Sequence, residues 1–143
     1  MKNRDLERAM ELFTSGDYTC VLCKGEVTLT STEHGVKPLL QWMDRENSVK
    51  GSSAVDKVVG RAAAFLYVLL EVKEIYASVM SEGAADVLSK YGICSGSGVL
   101  VKEIINRKGN GICPMEQAVK GTDTPEQALE AVREKCRQLN ITI

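Results

Sequence analysis

The stretch Ser52-Ser53-Ala54-Val55-Asp56-Lys57-Val58-Val59-Gly60-Arg61-Ala62-Ala63-Ala64-Phe65-Leu66-Tyr67-Val68-Leu69-Leu70 decides the fold. At 100° per residue its strongly polar side chains, Asp56, Lys57 and Arg61, share one stripe, and everything beyond Arg61 is apolar. A helix apolar on every face is a buried helix. The spacing therefore predicts one central helix over 54–70, opened by Ser53-x-x-Asp56 as a capping arrangement, with a charged tip where the helix dipole is positive. Gly60 inside such a helix costs about 1 kcal/mol against Ala, which points to close approach of a backbone, a ligand or the sheet.

Outward from that helix, the upstream sequence reads as three smaller elements. Leu6, Ala9, Met10 and Phe13 mark an amphipathic helix from Asp5 to Ser15, stopped by Gly16. Tyr18 to Cys23 is apolar on both faces, as in a central strand; Lys24-Gly25 turns it into a returning strand with Val27 and Leu29. Gly35-Val36-Lys37-Pro38 opens a short helix through Leu39, Leu40, Trp42 and Met43 to about Glu46. Downstream, Val72 to Met80 has strand propensity, Ser81 can cap a helix from Glu82 to about Tyr91, and Gly98 to Asn106 reads as another strand. A turn at 107–111, a short helix from Met115 to about Lys120 and a final helix begun by Thr124-Pro125-Glu126-Gln127 complete the chain. The last helix presents Leu129, Val132, Cys136 and Leu139 as its apolar face. Two hairpin strands followed by alternating helices and strands predict an α/β fold, a three-layer α/β/α sandwich with a mixed sheet. The Ser/Gly-rich pieces 51–53 and 95–98 read as connections, and no repeat or linker interrupts a single domain over 1–143.

The net charge of −1 comes from interspersed acids and bases, which argues against a nucleic-acid partner. The longest apolar run, Ala62 to Leu70, is far short of the ~20 residues of a membrane span, so no membrane partner is expected. Mixed charge from Met1 to Arg8 does not resemble an export signal, and a cytoplasmic location is expected. Five cysteines then read as reduced thiols. Cys20 and Cys23 have CxxC spacing, but in a strand they point to opposite faces, which suits core packing better than redox or metal chemistry. His34, the sole histidine, falls in a loop and is expected in solvent. Gly96-Ser97-Gly98 precedes a strand, whereas phosphate loops follow one and open a helix, so no nucleotide cofactor is expected from it.

Several strings carry a resemblance: Gly35-Val36-Lys37-Pro38-Leu39-Leu40, Asp56-Lys57-Val58-Val59-Gly60-Arg61-Ala62-Ala63-Ala64, Ser81-Glu82-x-Ala84, and Ile105-Asn106-Arg107 leading into Cys113-Pro114-Met115-Glu116. In this order they resemble a family of small proteins of unknown function with a cytidine-deaminase-like fold. The resemblance implies the fold and no activity. Zinc deaminases place a His or Cys, then a Glu two residues later, at the start of the central helix, and a Pro-Cys-x-x-Cys at the next. Here those places hold Ala54-Val55-Asp56-Lys57 and Ser81-Glu82-Gly83-Ala84-Ala85, with no soft ligand at either, so no metal is expected.

If that topology holds, the starts of helices 54–70 and 82–91 face one cleft, where unpaired N–H groups and the dipole favour an anion. Lys57 and Arg61 then become candidates for a phosphate or carboxylate, beside Ser81 and Glu82 at the second helix start and Asn106 and Arg107 at a strand end. Asp56 can orient a ligand amine or act as a base, or pair with Arg61 structurally. Cys113, ahead of Pro114 and one turn before Glu116, is the nucleophile candidate, but with no His near in sequence to act as its base the residues favour an ordinary structural thiol. Three functions stay open: binding of a small anionic or nucleotide-like ligand, metal-independent catalysis through Asp56 or Cys113, and a homodimeric interaction module.

Overall fold

In the computed structural model, which describes residues 4–43, 49–106 and 108–143, the chain runs α1 (Arg4–Ser15), β1 (Cys20–Lys24), β2 (Val27–Ser31), α2 (Lys37–Met43), β3 (Ser53–Val59), α3 (Arg61–Leu70), β4 (Glu74–Ser81), α4 (Glu82–Lys90), β5 (Cys94–Val101), α5 (Pro114–Ala118) and α6 (Pro125–Gln138). The five strands form one mixed sheet in the order β2-β1-β3-β4-β5. β1 is antiparallel to β2 and β3, whereas β3, β4 and β5 run parallel through α3 and α4.

The largest departure from the sequence reading lies in the stretch quoted first. Residues 53–59 are a strand, and the central helix begins only at Arg61. β3 pairs on both edges, Asp56 opposite Cys20 and Ala77, and is covered on both faces, so it carries an almost continuous apolar run. That run merges with the apolar run of α3, and only Gly60, extended at φ −97°, separates them. Ser53 caps nothing; its hydroxyl donates to the Glu74 carboxylate at 2.6 Å. The apolar character of α3 itself reads correctly: Ala62 to Tyr67 and Leu70 are buried.

Among the described residues α1 is the helix that covers one face, packing Ala9 on Val21, Cys23 and Val55. The other helices share the opposite face, where Cys20, Leu22 and Ala54 meet α3 and its neighbours. Cys20 and Cys23 thus enter different cores, as a strand's alternation requires. The sandwich is α/β/α.

Smaller differences have local causes. The last strand runs over 94–101 rather than 98–106, so the Ser/Gly-rich piece 95–98 is strand. Its glycines make room for the Tyr76 ring of β4: a Cβ on Gly98 would stand 3.3 Å from the Tyr76 hydroxyl and 3.0 Å from the Ser78 carbonyl. The hairpin turns at Gly25-Glu26, with Lys24 still paired to Val27 and Gly25 at φ +56°. α5 spans only 114–118, and Leu139 lies outside the core at 47% exposure. The expected end of α2 at Glu46 falls outside the described residues. Among the described residues no helix is long and apolar enough to cross a membrane.

Candidate functional site

A cavity of about 140 Å3 opens where β1 begins, β3 ends, α3 starts and α5 leans in. Asp56 is its most unusual wall. The side chain is buried at 7% exposure on β3. Its Oδ2 accepts from the Tyr67 hydroxyl at 2.6 Å and its Oδ1 from the Val58 N–H at 3.3 Å. With the Tyr67 proton so directed, the Cys20 thiol, 3.0 Å from the same hydroxyl oxygen, donates in turn. Burial pushes Asp56 up from 3.8 to about 6, the hydrogen bonds opposing it. Burial and the nearby Asp56 charge push Cys20 and Tyr67 well above their usual ranges, so both stay neutral. No cation among the described residues balances this carboxylate. Asp56 can therefore accept from a ligand donor or exchange a proton close to neutral pH.

The start of α3 is already occupied. Glu116 of α5 reaches back so that its Oε1 accepts from the Arg61 N–H at 2.7 Å and its Oε2 from the Ala62 N–H at 2.8 Å. A carboxylate on the first free N–H groups satisfies the helix end and its dipole. Gly60 permits it, since a Cβ there would stand 2.6 Å from the Glu116 carboxyl. Arg61 returns the contact: its guanidinium donates to the carbonyls of Val119, at 2.7 Å, and Thr122, just beyond α5, and lies over the Phe65 ring at 4.8 Å. Each helix thus supplies the charged group that the other's end lacks.

The residues singled out from sequence divide accordingly. Asp56, Lys57, Cys113 and Glu116 line the one cavity, Lys57 exposed and Cys113 half-buried. Arg61 lies instead along a separate surface depression with Asp86, Lys90 and Asp123. Ser81 is buried and caps α4, accepting from the Ala84 N–H at 3.0 Å, and Glu82 is exposed in the first turn. Neither lines the cavity, so the two helix starts do not share it. Asn106 closes the following turn through Asn110, and Arg107 lies outside the described residues.

Other cavity walls escaped the sequence reading. Thr19 donates to the carbonyls of Ser31 and Glu33, tying the loop after β2 to the cavity. His34 is exposed, as expected, yet it stands at the junction of the cavity and an adjoining groove of about 470 Å3. Glu33 to Val36 and Met115 wall both spaces, and Lys37, Leu139, Ile141 and Ile143 line the groove. Among the described residues no group of three or more His, Cys, Asp or Glu side chains is placed to hold a metal.

Comparison with known proteins sets this geometry in context. Residues 8–136 match the family described as TM1506, domain of unknown function (DUF1893). The crystal structure of a DUF1893 family protein (TM1506) from Thermotoga maritima is similar at a TM-score of 0.83 and 27% identity, over 96% of this chain and 92% of that one. A dCMP deaminase from the cyanophage S-TIM5, in apo form, aligns at a TM-score of 0.46 and 14% identity, over 68% of this chain and 99% of that one. No curated protein matches the sequence.

Proposed function

This chain belongs to the DUF1893 family, and from the Asp56 cavity we propose that it binds a small nucleotide-like molecule, a single nitrogen-bearing ring with an anionic arm. One observation carries the reading: a buried carboxylate with no cationic partner among the described residues forms the wall of an open cavity. A buried charge is costly unless something pairs with it, so a ligand N–H or protonated ring nitrogen is the group this wall lacks. Volume supports one ring: about 140 Å3 is close to cavities that hold benzene and below the roughly 300 Å3 of a drug-sized site. The remainder of such a molecule extends into the adjoining groove. Lys57 and His34 line the cavity, and His34 and Lys37 line the groove, Lys37 3.7 Å from the Glu33 carboxylate, and these are the basic groups offered to an anionic arm. The α3 start is not the anion seat in this reading, since Glu116 already fills it.

Calorimetric titration with pyrimidine nucleosides, their monophosphates and inorganic phosphate tests this. Binding of a ring compound is expected, tenfold or more weaker in Asp56→Asn, and Lys57→Ala is expected to reduce the preference for the phosphorylated form. Affinity for a donor ligand is expected to hold above pH 6 and fall as Asp56 protonates below it. Inorganic phosphate binding as well as the nucleotide, or an unchanged affinity in Asp56→Asn, overturns the reading. The free protein supplies a separate signature. Because folding raises the Asp56 pKa, the folded state binds the proton more tightly, and stability declines as pH rises from about 4 to about 6. Asp56→Asn should therefore be more stable than wild type at pH 7.5, by up to about 3 kcal/mol for a shift of about two units, with no gain at pH 4 in urea unfolding.

A second reading, metal-independent turnover, draws on Asp56 and Cys113 lining the same cavity with His34. Loss of turnover in Cys113→Ser, with ligand binding intact, is its test.

A further inference from the structure

We infer that a second copy of this chain pairs along the free edge of β5, joining two sheets into one continuous ten-stranded sheet. β5 is hydrogen-bonded on one side only, to β4, and closes the sheet. Edge strands of soluble proteins are usually kept short, charged, bulged or covered. This one is eight residues long, exposed at all but Ser97 and Val101, and free of charge, as is the whole segment from Tyr91 to Val101. α1 packs on β1 and β3 and does not reach β5, and Val99 and Leu100, on opposite faces of the strand, are 54% and 55% exposed. The opposite edge differs. β2 has five residues, is flanked by Glu26 and Glu33, and carries the Arg8 guanidinium on the Val27 carbonyl.

The sequence of β5 identifies the occupant. Its first half, Cys94-Ser95-Gly96-Ser97-Gly98, is small, and its second, Val99-Leu100-Val101, is bulky. An antiparallel two-fold centred on Gly98 sets Leu100 of one copy against Gly96 of the other, Val99 against Ser97 and Val101 against Ser95. Every large side chain then meets a small one, on both sides of the axis, and the unpaired backbone N–H and C=O groups of both edges are satisfied. A parallel partner would oppose bulk to bulk. The surface is therefore complementary to itself, and the pairing does not depend on what the Asp56 cavity binds.

Sedimentation velocity and light scattering from micromolar to millimolar concentration test the pairing. Wild type is expected to convert from monomer to dimer, with the amides of 94–101 exchanging more slowly as concentration rises. Leu100→Lys and Val99→Lys, both at exposed positions, are expected to raise the concentration of half-association at least tenfold while circular dichroism stays unchanged. Val27→Lys, on the opposite edge and 49% exposed, should leave association intact. A wild-type protein that stays monomeric throughout, or a dimer that survives both β5 substitutions and is lost in Val27→Lys, overturns the inference.

Discussion

Helices α3 and α4 each follow a parallel strand of the same sheet, yet they begin in opposite ways. α4 is capped from within: Ser81, the last residue of β4, turns its hydroxyl onto the Ala84 N–H. α3 has no side-chain cap of its own at Gly60 and borrows one, the Glu116 carboxylate, from 54 and 55 residues away. A local cap makes a helix start independent of its surroundings. A borrowed cap ties the helix start, the cavity wall and α5 into one unit, which Arg61 closes from the other side. The candidate site therefore sits on the start whose geometry depends on tertiary contact.

The sharpest way to break this comparison is Gly60→Ala. The backbone there, φ −97° and ψ −176°, suits alanine, so the substitution acts only through the methyl group and the Glu116 carboxyl 2.6 Å from it. Moving the end of a flexible side chain is cheap, but it surrenders two hydrogen bonds to a charged acceptor, each worth about 1.5–3 kcal/mol. A loss of about 3 kcal/mol or more is expected in urea unfolding. In a Glu116→Ala background the same substitution should be neutral or slightly stabilising, because no carboxylate remains to be displaced and alanine narrows the unfolded ensemble. Equal costs in both backgrounds would show that α3 does not depend on the borrowed cap.

The same contrast explains what the sequence discloses and what it hides. Elements whose ends are marked locally read well: Ser81 and Gly92 bracket α4, and Thr124-Pro125 starts α6, with Thr124 accepting from the Gln127 N–H. The junction of β3 and α3 carries no such mark, so two apolar elements fuse into one, and Gly60 reads as a costly interior residue instead of a boundary. β5 is hidden because glycine and serine disfavour strands, and the reason for the glycines is tertiary, the Tyr76 side chain beside Gly96 and Gly98 and the Ser78 carbonyl beside Gly98. Asp56 draws notice because a carboxylate interrupts an apolar run. Cys20 and Tyr67 do not, since each is an ordinary core residue until three elements bring them around one hydroxyl.

A milder probe is Glu116→Gln. The amide keeps the shape and one acceptor oxygen, but it loses the charge opposite the dipole and turns an NH2 group toward a backbone N–H. A cost of about 2 kcal/mol is expected, between that of Gly60→Ala and that of an ordinary cap. Hydrogen exchange locates it: the amides of Arg61 and Ala62 should lose protection while those of α4 keep theirs. Loss of protection at α4 as well would mean that the two starts are coupled, contrary to the comparison.

Ser81→Ala is the smallest perturbation and completes the set. Removing one neutral acceptor from a helix start costs about 1 kcal/mol, or roughly 2–4 °C in a domain of this size. Ser81 is buried at 3% exposure, so the Ala84 N–H it leaves behind finds no water to replace it, which places the expected loss at the upper part of that range. The effect should stay in its own element: ligand response at the Asp56 cavity unchanged, and the cost additive with Glu116→Gln within about 0.5 kcal/mol, as for separate sites without shared partners. A clear excess over additivity would mean that the α3 start is felt at α4 through the Arg61 side chain, whose Cδ lies 3.6 Å from a Cβ built on Gly83.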